Sequence, residues 1–122
     1  MIDDGYHLTK LSETELDALV GDALYAEDFG AKAPTDAEKI RRARRWFASQ
    51  MIEFRQVVCT HHIVERYLEK KDSAERELFD AVVTALASLS GMPVPVSAVA
   101  AKIVRYGVSN LCSGTTVPGE SS

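Results

Sequence analysis

Between Thr35 and Gly91 the sequence has neither glycine nor proline. Nothing punctuates the chain from Asp36 to Lys71 until an acidic cap signal at Asp72. Strand signals are just as scarce. The only apolar–polar alternation is "MPVPV", and its prolines remove the backbone donors a sheet ladder needs. The opening "MIDDGYHLTK" lacks the positive and apolar regions of a secretory signal. There are two cysteines, Cys59 and Cys112, too few for a disulfide framework and compatible with a reducing compartment. These absences lead us to expect a cytoplasmic chain. No Walker or dinucleotide loop, helix-turn-helix spacing, zinc finger or RNA-binding aromatic motif is present. The longest uncharged run, residues 81–101, is as long as a bilayer-spanning helix. Gly91, Pro93 and Pro95 divide it, so it reads as two buried segments and not as a membrane span.

What is there fits one domain. The 122 residues are 46% hydrophobic and 26% charged, enough to enclose a single core. The net charge of −4 is unevenly spread: −7 over residues 1–30, +5 over 31–71 and −2 over the rest. Such asymmetry fits either an anionic partner for the middle segment or an acidic first helix lying against a basic second one.

Four helix starts are legible. Ser12 with Glu15 and Thr35 with Glu38 form capping boxes, Asp72 with Glu75 is an aspartate variant, and Ser97 is a simple cap. Helical spacing gives the first helix a stripe of Leu16, Leu19, Val20 and Leu24. The third carries Leu78, Val82, Ala85, Leu86 and Leu89, flanked by Phe79 and Val83. The last helix, with only Lys102, Arg105 and Ser109 as a polar stripe, belongs deep in the protein, and Gly107 within it would admit a neighbouring backbone. The expected fold is all-α: a small antiparallel bundle of four to five helices over residues 1–112, followed by a disordered tail over 113–122. An unbroken second helix over 36–71 would run to about 54 Å and project beyond its bundle as one long central helix. The alternative is a break near Cys59 to His62, where Val57, Val58 and Thr60 weaken helix propensity. The lack of any glycine or proline favours the continuous helix.

Chemistry gathers in two places. In "VVCTHHIVERYLEKK", Cys59, His61, His62 and Glu65 include metal-ligand types, but at most two share one helix face. A zinc site needs three or four ligands, and His7 and Cys112 are distant in sequence. His61 falls on the apolar stripe, where a polar group can set register between paired helices and release them on protonation. Second, "KIRRARRWF" concentrates five bases. Arg41, Arg42, Arg44 and Arg45 could meet phosphates, and Trp46 could stack on a base. Paired internally, the same bases would be structural.

No catalytic set is assembled, and no cofactor is expected. The leading expectation is a non-enzymatic interaction module, a small regulatory or accessory subunit. It would self-associate as a homo-oligomer or dock a larger protein through the long helix, using Phe47, Met51, Phe54, His61, Val64 and Leu68. The alternatives are nucleic-acid or anionic-ligand binding through residues 39–47, and a metal-dependent activity around 59–65.

Overall fold

The structure is a computed structural model that describes residues 5–26, 35–70, 75–89 and 91–113. A 3-10 turn at Tyr6–Lys10 precedes α1 (Glu13–Tyr25), α2 (Asp36–Ser49), α3 (Met51–Val58), α4 (His62–Lys70), α5 (Glu75–Leu86), α6 (Val96–Tyr106) and α7 (Val108–Cys112). No strand occurs among the described residues, so the fold is all-α. The cap at Asp72 and the tail beyond Ser113 lie outside the described residues.

Both legible capping boxes form. The Glu15 N–H donates to Ser12 Oγ while the Ser12 N–H donates to Glu15 Oε1, and Thr35 and Glu38 repeat the exchange at the start of α2. Ser97 is not a cap. The last long helix begins at Val96 after Pro95, which places Ser97 inside the first turn. That helix also ends earlier than its apolar run suggests. Gly107 adopts φ 106°, a left-handed conformation that closes α6 and leaves α7 as a separate five-residue helix.

The 36–71 rod is not continuous. It is interrupted at Gln50, whose N–H is shared between the Trp46 and Phe47 carbonyls, and it stops at Cys59. The Thr60 hydroxyl donates to the Gln56 carbonyl at 2.8 Å, satisfying a group that a longer helix would have used. His61 then restarts the chain as α4, its Nδ1 accepting from the Ile63 N–H at 3.2 Å. Of the two readings, the break near Cys59 to His62 is the one observed. Cys59 also bonds to Cys112 across 53 residues, with Cα atoms 5.6 Å apart. The two cysteines, too few for a framework, form one long-range bridge.

The apolar line of the second helix faces inward. Ala43, Phe47, Met51, Phe54, Val58 and Val64 are buried together with Leu16, Val20, Leu78, Phe79, Val82, Leu86, Val99, Ile103 and Leu111. α1 packs antiparallel on α2, with Asp17 meeting Arg44 and Asp22 meeting Lys39. α6 is the most enclosed helix, buried from Ala98 to Ile103, and contacts α1, α5 and the 3-10 turn. On α1 the buried face is turned from the expected one. Leu19 is 39% exposed, while Asp17 and Gly21 are buried beside Leu16, Val20 and Leu24. Gly21 explains the turn, since a Cβ there would overlap the Lys39 backbone carbonyl. Among the described residues no helix is long and apolar enough to cross a membrane, and the 81–101 run is divided between α5 and α6.

Candidate functional site

The basic segment lies on α2, where the capping box at Thr35 starts the helix and the Ala43–Phe47 line turns inward. Its bases separate into two groups. Lys39 pairs with Asp22 at 2.7 Å, and that bond raises its pKa above the ordinary lysine value. Arg42 stacks over the Tyr25 ring at 4.5 Å. Arg44 Nε donates to Asp17 Oδ2 at 2.8 Å. These three tie the basic helix to the acidic one, so much of the charge asymmetry is spent inside the fold. Arg41 and Arg45 are exposed. Arg41 acts on Glu38, whose pKa is lowered mainly by the Thr35 N–H and hydroxyl and further by the arginine. Arg45 has no acidic group within ion-pair distance among the described residues.

Asp17 is the centre of a buried ion cluster. Arg44 approaches one carboxylate oxygen and the Lys102 ammonium of α6 approaches the other. That second contact is an ion pair with both side chains buried. The same ammonium sits 4.6 Å over the Phe47 ring, a cation–π contact that helps to hold a charge sealed from water. Sequence reasoning missed this cluster. Its available signal was an acid at position 17, next to Leu16 and one turn before Gly21, on a helix facing five bases.

Trp46 leaves the arginine row. It is half-buried, packs edge-on against Phe54 at 5.9 Å, and lines a groove of about 270 Å³ with Leu89, Met92 and Pro93. It therefore does not extend the basic face as a stacking platform. On the outer face, a second groove of about 400 Å³ is floored by Ala37 and Ile40 and walled by Thr14, Arg41 and Arg44. Arg45 and Ala48 on α2 and Ile52 on α3 are also exposed, and Ile52, at 62%, is the most exposed large hydrophobic residue described. The partner-interface set expected on the long helix is not a free surface. Phe47, Met51, Phe54 and Val64 are buried in the protein's own core, while His61 and Leu68 are half-buried.

The histidines border a groove of about 550 Å³ between the start of α4 and the outer side of α5. His61 and His62 stack with ring centroids 4.7 Å apart. Burial, and then the neighbouring His62, lower the His61 pKa below the usual imidazole value. With Nδ1 occupied as an acceptor, the neutral ring carries its proton on Nε2. Across the groove Glu77 is paired with Arg66 at 3.1 Å and Asp80 with Arg76 at 3.4 Å. The Thr84 hydroxyl donates to the Asp80 carbonyl. The groove thus holds closed ion pairs, with neither carboxylate placed against a nucleophile. The candidate metal set is separated too. The Cys59 sulfur is in a disulfide and is not a thiolate, Glu65 is exposed, and no group of three or more metal-ligating side chains is gathered among the described residues. No family model, curated protein or solved structure matches this chain.

Proposed function

We propose that this chain is a non-enzymatic interaction module that docks an acidic segment of a partner protein on the outer face of α2 and α3. What carries the reading is the composition of that face. It offers an apolar groove at Ala37 and Ile40 lined by the cations Arg41 and Arg44, together with exposed Arg45, which has no ion-pair partner among the described residues, and exposed Ile52. A segment with carboxylates between two apolar side chains would complement it in charge and hydrophobicity. Self-association through the second helix's apolar stripe is set aside, because that stripe is covered within the chain. The cytoplasmic location is kept as part of the proposal. There it requires the Cys59–Cys112 bond to be reversible, since lasting disulfides are rare in reducing compartments.

The test is fluorescence anisotropy with three labelled probes at low and moderate salt: a Glu- and Leu-containing peptide, duplex DNA and single-stranded RNA. The peptide should bind most tightly, weaken as salt rises, and lose about tenfold in affinity on Ile52→Glu or Arg45→Glu. Nucleic-acid binding indifferent to Ile52 would move the reading to phosphate recognition by the arginines. No binding of any probe at low salt would remove both.

A further inference from the structure

α7 is hinged at one end and bolted at the other. Its first end is Gly107, in a left-handed conformation where other residues are strained. Its last residue, Cys112, is bonded to Cys59, the residue that closes α3 where the chain turns toward α4. Its five residues are too few to persist as a helix alone in water. They hold by what they touch. Val108 and Leu111 are buried, Arg55 Nε donates to the Leu111 carbonyl at 3.0 Å, and the helix packs on α3, α4 and α6. A side-chain bond spans the hinge, from Asn110 Nδ2 to the Tyr106 carbonyl at 2.7 Å. Cys59 and Cys112 are both half-buried against the core and neither is fully enclosed.

We propose that Cys59–Cys112 is a thiol–disulfide exchange site at which a dithiol donor unbolts α7, letting it swing about Gly107 and uncover the junction of α3 with α4. In the first step a donor thiolate attacks one sulfur. The S–S bond breaks, and the other cysteine leaves as a thiolate and takes a proton. The donor's second thiol then attacks the mixed disulfide and releases the second cysteine. Two electrons pass from donor to protein, and the donor ends as a disulfide. This inference does not depend on the docking face, because Cys59, Cys112, Gly107, Val108 and Leu111 are not among the residues named for it.

The oxidised full chain is treated with dithiothreitol under native conditions, and amide hydrogen exchange is read by mass spectrometry over α7, α1 and α6. Reduction should proceed without denaturant. Exchange over residues 108–113 should then rise at least about tenfold more than over α1 or α6. A Cys59→Ser, Cys112→Ser double variant should show the same fast α7 without reductant. If that variant does not fold, the reduction arm decides alone, because it starts from folded protein. A bond that yields only in denaturant, an α7 that keeps its protection after reduction, or protection lost equally from all helices would each overturn the proposal. The last result would make the bond a staple of the whole fold.

Discussion

A carboxylate sealed among apolar side chains is sustained by the charges that meet it, and Asp17 meets two. Replacing it leaves the Lys102 ammonium buried over Phe47 with no counter-charge. Asp17→Ala should therefore lower the unfolding free energy in urea by about 3–5 kcal/mol. Lys102→Met should cost clearly less, because Arg44 still holds the carboxylate. Two losses below about 1 kcal/mol would show the cluster to be energetically idle. Gly21 makes a separate prediction. Gly21→Ala forces a methyl group into the Lys39 carbonyl, so α1 and α2 must part, at about 1–3 kcal/mol in the same measurement. Position 17 was readable in principle as an acid on an apolar face. Which bases would reach it was not, because those contacts join residues far apart in the chain.

Helix starts were the most legible elements, since a capping box involves four consecutive residues and no tertiary partner. Ser12→Ala should cost about 1 kcal/mol. Helix ends were less legible. Gly107 reads as a packing residue until its backbone is seen, and the stop at Cys59 depends on a hydroxyl, an imidazole and a distant cysteine acting together. The imidazole makes that junction sensitive to acid. The fold favours neutral His61, so its pKa lies below 6.5, whereas the unfolded chain takes the proton near 6.5. The stabilisation is complete above that pH and is lost as pH falls through the lower folded value. Protonation also removes the acceptor used by the Ile63 N–H. The groups lining the same groove are His62, Arg76, Glu77 and Asp80, and both carboxylates are already held by arginines. The urea midpoint should drop between pH 7 and 5, and His61→Asn, which keeps an acceptor without titrating, should flatten that slope. Parallel slopes in the two proteins would count against the junction as the origin.

At the scale of the molecule, the sequence disclosed much of the core, Leu19 on α1 excepted, but not what it closes against. An apolar stripe is the same whether it seals its own chain or meets another, and only the break near Cys59 decides. Because the stripe is spent internally, the purified chain should sediment as a monomer of 13.4 kDa at micromolar concentration. A dimer that resists dilution would restore self-association. The ion cluster draws on α1, α2 and α6, so it joins distant parts of the chain. That has a consequence for synthesis. Asp17 and Arg44 emerge from the ribosome long before Lys102, so a nascent helical hairpin holds a carboxylate it cannot yet afford to bury. The first two helices must wait, wet on one side, until translation delivers the sixth.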